Sequence, residues 1–117
     1  VTKRQLIDFL QDILEAIVEI EGFTQGLSFE QFTQDRAKVL AVVKLLEMIG
    51  EATKQIPDEI RARYPQIPWQ SVTGMRDVLV HAYWKIDEDV IWETLVESLP
   101  LLKPVVCELI DHELNGV

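Results

Sequence analysis

The chain is poor in cysteine, in cations and in uninterrupted apolar stretches, and each shortage removes a class of protein. Its 117 residues include one cysteine, Cys107, so no intramolecular disulfide can staple it and a reducing cytoplasm is the simplest compartment. Cys107 falls in the apolar pattern of the last segment and reads as core. Eleven Lys and Arg face 20 Asp and Glu, a net charge of -9. That balance excludes a protein holding nucleic acid by broad phosphate neutralisation, so any nucleic-acid work must be local. No run of about 18 uncharged apolar residues exists. The opening VTKRQLIDFLQDILEAIVEI interleaves acids and amides, unlike a signal peptide, which predicts a protein neither exported nor membrane-spanning. The two histidines, His81 and His112, and Cys107 fit no familiar zinc spacing. Nucleophile-elbow and P-loop patterns are missing too. Glu108, four residues before His112, resembles half of a carboxylate metal pair, but no second half exists. His112 reads as a solvated residue near a helix C-terminus, where the dipole favours it.

What is present is an ordinary globular composition, 48% hydrophobic and 26% charged, in one domain's length, residues 1–117. Leu6, Leu10, Ile13, Leu14, Ile17 and Ile20 recur at three- and four-residue steps, predicting a helix from about Lys3 to Glu21. Thr2 with Gln5 has capping-box spacing at its start. Ser28 with Gln31 repeats that spacing, and Phe29, Phe32, Val39, Leu40, Val43, Leu46 and Ile49 predict a long second helix from Phe29 to Lys54. Pro57, Pro65 and Pro68 leave room for one short helical stretch, Asp58 to Tyr64. A helix from about Trp69 is expected to carry Met75, Arg76, Asp77 and His81 before a turn near Lys85. Asp87 is placed to cap a last helix, with a kink or restart at Pro100 and Pro104 and a stop at Asn115-Gly116. No useful strand signal appears. The expectation is an all-α antiparallel bundle of four main helices plus a short one.

The segment from Met75 to Trp84 carries the chemistry. On a helix, Met75, Val78, Leu79 and Ala82 share one arc, the buried face, and the other arc orders Tyr83 and Arg76, then Val80 and Trp84, then Asp77 and His81. Asp77 one turn before His81 would accept a hydrogen bond from one ring nitrogen and leave the other for proton transfer. Arg76 is suited to holding a phosphate through paired N–H groups and to offsetting charge on a phosphorane. Arginine plus histidine suffices for RNA cleavage without metal. A half-exposed helix with a capping histidine and a surface arginine would show the same spacing. Val80 and Trp84, apolar amid the polar arc, favour a covered surface, and a second copy of the chain is the economical cover.

These residues, R-D-x-x-x-H-x-Y at Arg76, Asp77, His81 and Tyr83, resemble the R-x-x-x-x-H-x-Y motif of HEPN-domain toxins of the HepT type. Ile49-Gly50-Glu51-Ala52, Ile67-Pro68-Trp69, and Val90-Ile91-Trp92 with Leu99-Pro100 resemble further elements of that family, so the likeness covers essentially the whole chain. The resemblance implies a homodimeric, metal-independent endoribonuclease toxin of a prokaryotic type VII-like toxin–antitoxin pair. Its composite site would place Arg76 and His81 of both chains at the dimer cleft, with Asp77 in support, and no cofactor. The companion antitoxin would be a minimal, MntA-like nucleotidyltransferase, and Tyr83 resembles the residue it modifies with AMP. The position after the arginine is often Asn in the relatives, and Asp77 stands there instead.

Gly50, inside a helical run, reads as a site of close helix approach near the motif. Glu51 reads first as a solvated helix residue, with pairing to Arg76 or another cation near the cleft as the sharper expectation. Trp69, Trp84 and Trp92 read as core or interface anchors, Trp84 also as a base-stacking group at the cleft. Two readings compete with the ribonuclease: a non-catalytic substrate- or nucleotide-binding companion of a nucleotidyltransferase, and a helical interaction protein without nucleotide chemistry.

Overall fold

The computed structural model describes residues 1–75, 80–82 and 85–116, the middle three by backbone alone. Both capping boxes form as their spacing predicts. Thr2 accepts from the Gln5 N–H and Gln5 reaches back to the Thr2 N–H, opening α1 (Lys3–Thr24). Ser28 and Gln31 do the same for α2 (Phe29–Gln34). The α1 stripe buries Leu6, Leu10, Ile13, Ile17 and Ile20.

The long second helix breaks at Asp35. Its backbone leaves the helical region (φ -100°, ψ 89°), and its carboxylate accepts the Lys38 N–H at 3.2 Å to start α3 (Arg36–Thr53). An Asp in mid-helix competes with the backbone for hydrogen bonds, and here it wins as an N-cap. The restart resets the helical phase. Leu40, expected inside, is 48% exposed, while Val42 and Leu45 join Val39, Val43, Leu46 and Ile49 in the core.

Pro57 opens the short α4 (Asp58–Arg61), and Pro68 precedes α5 (Trp69–Thr73), which ends at Gly74. The helix expected to run through His81 does not. Val80–Ala82 is a strand, β1, paired antiparallel with β2 (Lys85–Ile86), Val80 opposite Ile86. Gly74 closing α5 and the extended preference of β-branched Val80 and Ile86, partners in the backbone register, account for this choice.

Asp87 caps α6 (Glu88–Glu93) as expected, accepting the Val90 N–H at 3.1 Å. The predicted disturbance before Pro100 is a π turn, Thr94–Ser98, where the Leu99 N–H reaches the Thr94 carbonyl five residues back. Pro100 has no N–H for the Val96 carbonyl, and its ring would crowd that oxygen, so the turn widens. Then α7 (Leu99–Asn115) runs on through Pro104 to Gly116, which closes it at φ 66°. His112 lies exposed near that end, and Cys107 is half-buried.

α1 packs chiefly against α3 and α7. Trp92 ties α6 to α2, meeting Phe29 edge-on at 5.9 Å and Phe32 at 5.5 Å. The architecture is an all-α bundle with one small hairpin. No helix among the described residues is long and apolar enough to cross a membrane. Asp35→Ala should lower stability by about 1 kcal/mol through the lost cap, read as a lower urea midpoint at unchanged slope.

Candidate active site

The chain enters the motif under tight control. Gly50 of α3 is buried, and a Cβ placed on it would stand 3.0 Å from the Val72 carbonyl oxygen and 3.8 Å from the Met75 Cβ. The two backbones approach so closely because glycine has no side chain. This is the close approach the sequence predicts, and it fixes the last residues before Arg76. Met75 is buried at 2% exposure. One turn on, Thr53 is fully buried, its hydroxyl donating to the Ile49 carbonyl at 2.6 Å.

Of the predicted site residues, Arg76, Asp77, Tyr83 and Trp84 lie outside the described residues, as do the side chains of Val80 and His81. The backbone of His81 is the centre of β1. The one-turn relation between Asp77 and His81 assumed a helix through His81, and a strand there removes that basis. Glu51 is exposed on α3 and pairs with Lys54 at 3.1 Å. It lines a groove between α1 and α3 with Phe9, Asp12 and Met48. Trp69 is half-buried, its indole N–H donating to the Tyr64 carbonyl at 2.9 Å.

Two concavities flank α5. A cavity of about 730 Å³ separates it from α6 and the π turn, with Val72, Met75 and Val90 on its apolar side and Glu93 and Glu97 among its polar residues. A groove of about 410 Å³ on another side is lined by Asp58, Arg61, Trp69 and Thr73, and Gln70 borders both. Sequence reasoning passed over half-buried Arg61 and exposed Gln70 and Glu97, because isolated polar residues on short helices and turns carry no periodic signal. Among the described residues no group of three or more His, Cys, Asp or Glu is arranged to hold a metal ion.

Comparison with known proteins supplies the class. The family described as Ribonuclease HepT-like matches residues 13–109. A Thermococcus cleftensis protein named "Probable ribonuclease HepT" is 46% identical over 101 residues, covering 86% of this chain and 92% of that one. Two Methanocaldococcus jannaschii proteins named as candidate RNases are 45% and 43% identical, each over 86% of this chain and over 84% and 87% of their own lengths. No solved structure matches. The class is that of a ribonuclease. The chain belongs to the ribonuclease HepT-like family.

Gly50→Ala tests the approach of α3 to α5. Alanine gains about 1 kcal/mol of helix propensity and loses about 1–3 to overpacking against a backbone oxygen. A net loss near 1 kcal/mol in thermal unfolding, with a larger one for Gly50→Val, is expected.

Proposed function

We propose that the protein is a metal-independent endoribonuclease toxin whose site is assembled from Arg76 and His81 of two copies of the chain. In this reading His81 takes the proton of a ribose 2′-hydroxyl, whose oxygen attacks the adjacent phosphorus. The 5′-oxygen leaves with a proton returned from imidazolium, giving a cyclic phosphate and a free 5′-hydroxyl. Arg76 offsets the charge that builds on the phosphorane oxygens. Asp77 supports the histidine, and Trp84 lies at the cleft. The reading rests on the Arg76 to Tyr83 motif inside a chain of this family. Closure into one 1–117 domain and dimerisation belong to the same proposal.

Regulation follows from charge. A nucleotidyltransferase antitoxin would transfer AMP from ATP to the Tyr83 hydroxyl, releasing pyrophosphate. The phosphate placed near Arg76 would compete with the RNA phosphate for that guanidinium. Because the chain carries -9 overall, RNA affinity should be weak and strongly salt-sensitive.

Unmodified protein should cleave RNA in chelator-treated buffer, and Arg76→Ala and His81→Ala should each lower the rate at least a hundredfold. Intact mass after incubation with the nucleotidyltransferase and ATP should rise by AMP units, and Tyr83→Phe should stop it. Intact RNA with unmodified protein would favour the nucleotide-binding companion. Tight binding of generic RNA at physiological salt would contradict the local-site argument.

A further inference from the structure

We infer that the groove beside α5, formed by Arg61, Trp69, Gln70 and Thr73, is a subsite for single-stranded RNA next to the scissile position. The inference rests on the ribonuclease reading and names where its substrate lies. The first observation is charge. From Ile60 to Lys85 the chain holds four cations, Arg61, Arg63, Arg76 and Lys85, against one acid, Asp77, a net +3 that leaves -12 on the other 91 residues. Asp58 and Glu59 precede this stretch, Asp87, Glu88 and Asp89 follow it, and Arg36, Lys38 and Lys44 form a second run without an acid, so the attraction a polyanion meets here is local to the arginines themselves.

The second observation is the pairing of a cation with an aromatic in one concavity. Arg61 and Trp69 line the same groove of about 410 Å³. The Trp69 indole is held by its hydrogen bond to the Tyr64 carbonyl, so the ring is positioned before any ligand arrives. Base stacking on a fixed aromatic, with a guanidinium for the phosphate, is how single strands are held without sequence readout. Arg61 pairs with Asp58, but that carboxylate is 92% exposed, and such a surface pair yields readily to a phosphate. The Arg61 Nε is buried without a hydrogen-bond partner among the described residues.

The third observation is position. α5 rises only about 6 Å from Trp69 to Thr73, and the chain reaches Met75 two residues later. Gln70 borders both this groove and the cavity beside Met75, so a strand crossing α5 passes from one to the other. The larger cavity carries Glu93 and Glu97 and suits a phosphate badly. The groove at Arg61 also holds a carboxylate, Asp58, but sets a guanidinium against it where the cavity has two carboxylates, so it is the side better suited to the backbone.

The test uses the full chain with His81→Ala, a fluorescein-labelled ten-nucleotide single-stranded RNA and anisotropy across a salt series. Trp69→Leu should weaken binding about tenfold, and Trp69→Phe, which keeps a ring but loses the Tyr64 bond, should stay within about threefold. Arg61→Gln should lower the salt slope by about 0.7, one phosphate contact on a single strand. In the active protein both Trp69→Leu and Arg61→Gln should raise KM for the ten-mer by a larger factor than they lower kcat. Binding equal to the parent in Trp69→Leu and Arg61→Gln with intact helicity overturns the subsite. So does a loss in Trp69→Phe as large as in Trp69→Leu, which marks a structural tryptophan. If Trp69→Leu does not fold, the Arg61→Gln slope decides alone. Absence of cleavage by the parent overturns the ribonuclease reading and leaves the binding arms to judge the groove.

Discussion

The contact on which the site depends is one between backbones. At Gly50 the α3 chain lies so near the Val72 carbonyl that a methyl group would stand 3.0 Å from its oxygen. α3 is anchored by its buried face in the bundle, against α1. α5 has five residues and cannot hold itself, because a single turn fixes too many dihedrals for too few hydrogen bonds. Its position is borrowed from α3 through this approach, through buried Val72 and Met75, and through the Trp69 indole bond to Tyr64. The described chain therefore reaches Met75, the last residue before Arg76, at a fixed point, which an active site assembled across a two-fold would need.

The parts of the fold that could be read from sequence are those whose cause is local. Thr2 with Gln5 and Ser28 with Gln31 satisfy each other's orphan groups within one turn, so spacing alone identifies them. Gly50 was readable because a glycine in a helix is a cost that only close packing offsets. Asp35 was not, since an acid on a helix surface and an acid that ends one helix and caps the next differ only in which N–H the carboxylate finds. The run from Met75 to Trp84 fits a helical wheel, yet Val80 pairs across a ladder with Ile86. Helical periodicity over ten residues cannot separate those outcomes when Gly74 interrupts the entry. The motif itself was recognisable by residue identity, whereas the strand through His81 was not a consequence of spacing.

Charge decides how an acidic ribonuclease can work at all. A surface holding a net -9 repels RNA at long range, and screening within about 10 Å at moderate salt confines that repulsion to close approach. Productive encounter would then depend on individual cations such as Arg61 and Lys85, which are exposed or partly so. Such a design gives low affinity for bulk RNA and leaves selectivity to geometry at the cleft. Under the proposed AMP transfer, phosphate added to a site with few cations would remove a large share of the attraction available there.

The π turn belongs to the same logic. Pro100 forces Thr94–Ser98 to widen, and the Thr94 hydroxyl turns back to the Val90 carbonyl at 2.8 Å. A regular helix would have carried Glu93, Glu97 and Ser98 past α5 in a different phase. The widened turn sets Glu97 and Ser98 beside Glu93, the last residue of α6, along the cavity that Met75 borders. One proline, set by sequence on the last helix, thus shapes part of the wall of the cavity beside Met75.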